Sequence, residues 1–495
     1  MKNNLKNFGL TTIPIILVSL VFFILYFYLF GNLLIFTEAR DYITYAGWIT
    51  DYSSLIINSL IPSGQNSRYV SMFTFYLMKN TCGYENVCIN AFQLIILLIA
   101  GILLYIHSYQ IFKKVFLATL IATIWLFSLP TIDTSTWQAT NHGKVAALFI
   151  FMTLILSQLF LAKGHKLAIV VLSNFIITIS LILAYNAKES AFFLMPVVLL
   201  QYLLYSKLAE LKYNLLKIVL PLLFSTYFLV GYFIKLPDFW KEHTLSNNIT
   251  HTVTLYANYL LNSSWPSHFY LISLIIILGI APVFLIGIKL LTKNKLKFLD
   301  NDLVKNLIYS YAFFILSLII VIKARYPSIY YMLVPLSGLL LIIFSSIEFI
   351  VNYLSNFYKK ILITLLSVLL LLHLYHYSQF LQPGSKYFKL LQHSNNMAET
   401  FHAIAERIKL SKNVTYNLIY PQNIDNHFYL LRGGVDGISD MTLINFIYKV
   451  DGHYKINILT YDDVNEIDNL LKNKDEHYIV IDHEYRLKFL QPANI

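Results

Sequence analysis

Uncharged apolar stretches of about 20 residues, the length that crosses the hydrocarbon core of a bilayer, recur from the N-terminus to about residue 378 and then stop. Of the whole chain, 57% is hydrophobic and only 13% charged, roughly half the charge of an average soluble domain. That is too little polar surface to cover a compact body in water. The pattern predicts an all-α polytopic membrane domain over residues 1–378, followed by a small soluble α/β domain over residues 379–495.

About eleven spans are expected, centred near residues 21, 99, 122, 152, 176, 197, 224, 280, 314, 338 and 369, with Pro196 interrupting the sixth. With Met1 in the cytoplasm, the loops on that side carry sixteen lysines, among them Lys2, Lys6, Lys114, Lys163, Lys217 and Lys360, against nine lysines and arginines opposite. Short cytoplasmic loops collect Lys and Arg in this way. An odd number of spans then places residues 379–495 on the exoplasmic or periplasmic face. The net charge of +11 follows from this anchoring and does not point to nucleic acid. The first apolar stretch follows Lys2 and Lys6 but runs long and lacks a small-x-small cleavage site, so it reads as an uncleaved span. Cys82 and Cys88 fall in the first external loop, where an oxidising compartment permits a disulfide; two free thiols fit the same spacing.

After Pro383 the pattern changes. AETFHAIAERIK (398–409) and VNEIDNLLKNK (464–474) have helical spacing, while VTYNLIY, HFYLL, INILTY and YIVID read as short strands. No phosphate loop, metal-ligand spacing or nucleophile motif accompanies them. Two long external loops precede this region, at about 33–88 and 236–266, the second carrying Trp240, His243, His251, Trp265 and His268 as an interfacial helix would.

An ionisable group at the end of a span is costly and marks a functional candidate. Four places qualify, the fourth a pair of segments, all on the external side. In TEARDYITYAGW (37–48), Glu38 and Asp41 follow the first span at headgroup level, where a carboxylate can act as general base toward an acceptor hydroxyl. In NSRYVSMFTFYLM, Arg68 precedes an aromatic stretch, and a guanidinium suits a phosphate through paired bonds; a snorkelling interface arginine is the plainer reading. The loop IDTSTWQATNHGK sets Trp137 beside Asn141, His142 and Lys144, a surface suited to a sugar ring, although Trp also anchors helices at interfaces. Finally, YNAKESAFFLMP and IKARYPSIYYMLVPLSG place Lys188, Glu189, Arg325 and Tyr326 at span ends. Lys188 and Glu189 are adjacent, so on a helix they diverge by about 100° and each needs another partner.

The order of these segments resembles the lipid-linked-sugar glycosyltransferases of the GT-C fold, including the protein O-mannosyltransferase-like and bacterial cell-envelope members. Asp41-Tyr42 keeps part of that family's acidic Asp-Asp-Tyr motif after the first span, and Arg68-Tyr69 part of a following Arg-Pro segment. Trp137 to Lys144 matches a Trp-containing external loop, Lys188-Glu189 before Pro196 a Lys-Glu pair, and Arg325-Tyr326-Pro327-Ser328 an Arg-Tyr segment. The resemblance covers residues 1–378. It implies a GT-C-like catalytic domain in a bacterial inner membrane that transfers a sugar from a polyprenyl-phosphate carrier to a glycan or glycolipid acceptor, such as lipopolysaccharide O-antigen, with membrane lipids around it. Asp41 is then the base, with Glu38 as the alternative, and Arg68, Lys188 and Arg325 hold the carrier phosphate. Trp137 and His142 line the pocket, with Glu189 and Tyr326 beside them. Some relatives use a divalent cation and others do not; the second Asp of the motif is missing here. Two other readings are an O-antigen polymerase or ligase, expected to concentrate Arg and His in a late external loop, and a lipid-linked-sugar transporter or flippase, expected to break its spans with polar or Gly/Pro segments.

Overall fold

The computed structural model describes residues 2–31, 68–83, 85–136, 140–164, 166–235, 301–322, 329–353, 415–421, 455–461, 477–482 and 486–490, with isolated positions between these segments. Up to residue 353 they are almost wholly helical: α1 (Lys2–Phe30), α2 (Tyr69–Cys82), α3 (Asn86–Phe112), α4 (Val115–Leu126), α5 (Leu129–Thr136), α6 (Asn141–Leu161), α7 (Leu167–Tyr185), α8 (Leu194–Tyr205), α9 (Leu211–Leu216), α10 (Val219–Lys235), α11 (Asp302–Ile322) and α12 (Leu333–Tyr353).

Among the described residues, six helices are long and apolar enough to cross a membrane, or up to eight if each of two bent pairs is one span. This is the pattern of a multi-pass membrane protein. The six are in or around α1, α3, α6, α7, α11 and α12, at the positions expected from the sequence. The expected spans near 122 and 224 are bent, by 49° between α4 and α5 and by 58° ahead of α10. The expected span near 197 is only 12 residues of helix, or about 18 Å, against a hydrocarbon core of about 30 Å. The spans expected near 280 and 369 lie outside the described residues, apart from isolated positions in the latter.

Both bends sit where a proline removes an intrahelical donor. Pro130 falls in the first turn of α5 and Pro221 in the first turn of α10; neither has an N–H to give the carbonyl four residues back, at Leu126 or Lys217. A backbone carbonyl released in an apolar interior must find another donor. At the second bend the side chains of α7 supply it: Ser173 Oγ donates to the Lys217 carbonyl at 3.1 Å, and Asn174 bridges the break, its Nδ2 donating to Leu216 O at 2.7 Å while its Oδ1 accepts from Leu220 N at 2.8 Å. At the first bend, Ser128 Oγ and Thr131 Oγ1 both donate to Trp125 O.

The centre of the bundle is α12, whose membrane-length window is 94% buried, against 28% for α1 and 33% for α7. α12 packs along α11 and also meets α3, α4 and α6. The two backbones approach closely at Gly338, where a β-carbon would stand 2.8 Å from the Phe314 Cα of α11; small residues permit such backbone contact between membrane helices. α1, α7 and α10 hold the edge, with Ile16, Val21, Val171, Leu223 and Ile234 turned outward.

The C-terminal part contributes a four-stranded sheet of order β2-β1-β3-β4, from β1 (Thr415–Pro421), β2 (Lys455–Tyr461), β3 (His477–Ile481) and β4 (Leu487–Leu490). β1 pairs in parallel with β2 and β3, and β4 runs antiparallel to β3. Ile419, Tyr478 and Val480 form a small buried cluster in it. Three strands match sequence expectations and β4 was not anticipated. The strand expected at HFYLL and both expected helices lie outside the described residues, so what is described of this region is a sheet.

Candidate functional site

Alternate helix ends gather at the two faces of the bundle. At one face Lys114 pairs with Glu348 at 2.7 Å. Lys217, fully buried, donates from Nζ to the carbonyls of Phe160 and Lys163 and to Asn214 Oδ1, at 3.0, 2.7 and 2.9 Å. Lys217 was counted in the sequence among the anchoring lysines of the cytoplasmic loops. It caps the C-terminus of α6 instead, where exposed carbonyls and the helix dipole favour a cation.

The opposite face collects the start of α2, the start of α6, the 186–193 turn between α7 and α8, and the 329–332 turn that opens α12. Backbone contacts fix α2 to the turn: Val70 N donates to Asn186 O at 3.2 Å and Ser71 Oγ to Ala187 O at 2.8 Å. From α6, Asn141 Nδ2 donates to Thr74 Oγ1 at 2.7 Å, tying its first turn to α2.

These anchors set the charged groups. Arg68 bonds Glu189 with both arms of its fork, Nε to Oε1 at 3.1 Å and Nη2 to Oε2 at 3.2 Å. Lys188, 4% exposed, extends in the other direction (φ −165°, ψ 147°) and sets its ammonium 4.2 Å from the ring centroids of both Tyr330 and Tyr331. The adjacent pair thus diverges to separate partners, as expected, though from an extended residue followed by a 3-10 turn rather than along one helix. Burial pushes the Glu189 carboxyl up, and the Arg68 guanidinium outweighs it, so the carboxyl is held below the usual carboxylate range. His142 is buried edge-on to the Phe75 ring with centroids 5.7 Å apart. Behind it Lys144, 1% exposed, donates to Gln93 Oε1 of α3, and Gln93 Nε2 lies 3.8 Å from Met78 Sδ.

Of the residues singled out in the sequence, Arg68, His142, Lys188 and Glu189 come together at this face. Glu38, Asp41, Trp137, Arg325 and Tyr326 lie outside the described residues. Arg68 was expected to hold a phosphate; in this structure its fork is taken by Glu189. Sequence reasoning did not mark Tyr330, Tyr331, Gln93 or the burial of Lys144. A tyrosine pair after Arg325 looks like interfacial aromatic belt, and only the Lys188 contact sets it apart. A shallow cleft at the end of α1 is lined by Tyr26, Phe30, Asn90 and Ser135 among others. Cys82 and Cys88, left open in the sequence, are disulfide-bonded and close the turn between α2 and α3.

The charged side chains described at the site are Arg68, Lys188 and Glu189, with Lys144 behind them. Such a patch, lined by aromatic rings, attracts an anionic group and offers flat apolar faces beside it. Among the described residues no three His, Cys, Asp or Glu side chains gather as metal ligands.

No family model matches this sequence, and no curated protein does.

Proposed function

We propose that the chain is a membrane glycosyltransferase that moves a sugar from a polyprenyl-phosphate carrier to a glycan or glycolipid acceptor of the cell envelope, such as lipopolysaccharide O-antigen. The observation that carries this reading is the convergence of Arg68, Lys188, Glu189 and His142, drawn from three separate segments, at one face of an apolar bundle. A carrier phosphate at this depth needs positive charge in a poorly hydrated setting, where Coulomb attraction is strong. The acceptor hydroxyl needs a base, and Asp41, with Glu38 as the alternative, is the candidate from the segment that follows α1. Attack of that hydroxyl on the anomeric carbon expels the carrier phosphate and inverts the centre. Lys188 stabilises the charge that develops on the leaving phosphate, an electrostatic role of the kind that contributes most in enzymes. Arg325, Tyr326 and Trp137 complete the phosphate and sugar contacts in this reading. The disulfide supports assigning this face to an oxidising compartment such as the periplasm of a bacterial inner membrane. The C-terminal region, read as an α/β domain, then sits on the acceptor side.

A second reading, a lipid-linked-sugar transporter or flippase, draws on a different observation. Polar side chains cross the interior of the bundle: Tyr309 Oη meets His107 Nε2 at 3.0 Å and accepts from Gln201 Nε2 at 3.1 Å, and Gln201 Oε1 bonds Ser157 Oγ. Together with the two bent helices, this is the kind of polar, broken interior on which transporters build their sites.

Transfer of radiolabelled sugar from polyprenyl-phosphate donors to envelope glycans, in membranes carrying the wild type, Asp41→Asn or Lys188→Gln at matched expression, separates the two. Transfer that both substitutions abolish supports the transferase. Label that crosses the membrane on its carrier without joining an acceptor supports the transporter and removes the transferase reading.

A further inference from the structure

α2 is 14 residues long, about 21 Å of helix and too short to cross a hydrocarbon core of about 30 Å. One stripe of it is buried, Ser71, Phe75, Met78 and Cys82, with the spacing of a helix laid on a surface. Polar groups lie under that stripe. The Phe75 ring meets the His142 ring edge-on, and Met78 Sδ lies 3.8 Å from Gln93 Nε2, of the amide whose Oε1 accepts from Lys144 Nζ. α2 thus covers His142 and Lys144, which are 4% and 1% exposed. Lys144 has no part in the transfer reaction proposed above.

The two ends of α2 are held differently. Its last residue, Cys82, is bonded covalently to Cys88 of α3, and the chain leaves it through Gly83 at φ +58°. The first half is held by exchangeable bonds: the Arg68 fork on Glu189, Val70 N on Asn186 O, Ser71 Oγ on Ala187 O, and Asn141 Nδ2 on Thr74 Oγ1. The Arg68 and Glu189 side chains keep 28% and 21% of their surface exposed, so an anion outside the bundle can reach the guanidinium. Carboxylate and phosphate both accept its paired N–H groups, and one can replace the other. Lifting the apolar part of the stripe is eased in a bilayer, where lipid tails cover Phe75 and Met78 about as well as another helix does.

We propose that α2 is a lid over Lys144 and His142, hinged at the Cys82–Cys88 disulfide and latched by Arg68 and Glu189, and that an anionic group opens it by taking Arg68 from Glu189. The identity of that group as a carrier phosphate rests on the functional reading above; the lid does not.

The test uses the full-length protein in detergent micelles. Acylation of Lys144 by an amine-reactive ester, followed by peptide mass spectrometry, reports uncovering, and hydrogen exchange of the Val70 amide reports the latch. Lys217, buried at the other end of α6, is the reference for general unfolding. Glu189→Gln is expected to raise both rates about tenfold, the loss of one charged hydrogen-bonded contact from the closed state, with Lys217 unchanged. The reversed pair, Arg68→Glu with Glu189→Arg, should bring both rates back toward the wild type. A wild-type rate at Lys144 in Glu189→Gln overturns the proposal, as does an equal acceleration at Lys217, which means a loosened bundle. A reversed pair as fast as Glu189→Gln overturns the latch. Farnesyl phosphate should speed Val70 exchange in the wild type, with farnesol as the silent control. If inorganic phosphate speeds it and farnesyl phosphate does not, the lid stands and the lipid-phosphate reading falls; if neither acts, opening by an anion is overturned.

Discussion

Arg68 and Glu189, 121 residues apart in the chain, meet through two side-by-side N–H···O bonds of 3.1 and 3.2 Å. The pair joins the first turn of α2 to the turn between α7 and α8, two segments that otherwise share backbone contacts at Val70 and Ser71. Both side chains are more than two-thirds buried, so removing one partner leaves the other poorly solvated. Glu189→Gln should lower stability in detergent by about 2 kcal/mol. Arg68→Lys should recover only part of the interaction, because an ammonium cannot make the two-armed bond. The reversed pair, Arg68→Glu with Glu189→Arg, should be more stable than either single reversal, and thermal unfolding of the double and both single reversals checks this.

The same pair has a predictable response to acid. Glu189 is ionised more readily in the folded protein than in an unfolded chain, so its contribution is fully present above the ordinary carboxylate range and is lost as the pH falls through its lowered folded value. The stability difference between the wild type and Glu189→Gln should therefore be flat from neutral pH down to about pH 5, and should shrink only in more acidic buffer, below the ordinary Glu value of about 4.3. A difference that changes between pH 6 and 8 would assign the effect to another group.

The disulfide between Cys82 and Cys88 closes a short loop at the joint of α2 and α3. Chain-entropy arguments give a loop of this size about 2 kcal/mol, and the bridge also holds the far end of the helix that begins at Arg68. Cys82→Ser with Cys88→Ser should lower the unfolding temperature and leave the protein folded. Free-thiol titration of the denatured, unreduced wild type should find none, these being its only two cysteines.

The sequence makes the class of the protein plain because a hydrophobic span is a local property: length and lack of charge suffice, and all six full-length helices lie where expected. Bends are harder to read because they turn on one missing donor, at Pro130 or Pro221, and on whether a neighbouring helix can replace it. Asn174 and Ser173 do so from α7, a contact no spacing rule reveals. Lys217 shows the limit of charge counting. Its loop position is that of an anchoring lysine, yet a 58° bend folds it inward onto the end of α6. Adjacency alone established that Lys188 and Glu189 need different partners, whereas which partners depends on tertiary packing across more than a hundred residues.

Asn174 serves both sides of the break before α10, donating to Leu216 O and accepting from Leu220 N. Asn174→Leu keeps the branched shape and removes both bonds, leaving two backbone groups at a membrane-facing bend without their partner. A loss of about 2 kcal/mol is expected, with Asn174→Asp losing less because an acceptor for Leu220 N survives. Hydrogen exchange of the Leu220 amide reads the effect locally: it should speed in the leucine variant and stay slow in the aspartate one.

Two glycines in the bundle look alike in the sequence and should behave oppositely. A β-carbon on Gly338 would stand 2.8 Å from Phe314 Cα and 2.9 Å from Phe314 N, backbone atoms that can move only if α11 and α12 separate. A β-carbon on Gly101 meets Leu126 Cδ2 at the same 2.8 Å, but that is the tip of a flexible side chain. Alanine is preferred to glycine inside a helix by about 1 kcal/mol, while forcing a packed core apart costs about 1–3 kcal/mol. Gly101→Ala should therefore leave stability within about 1 kcal/mol of the wild type, because rotation of Leu126 relieves the contact and the helical gain offsets the remainder. Gly338→Ala should destabilise, because the contact lies on α12, whose membrane-length window is the most buried of the six described. Unfolding of the two variants side by side decides it: equal losses would mean that the α11–α12 contact at Gly338 is not the tight one.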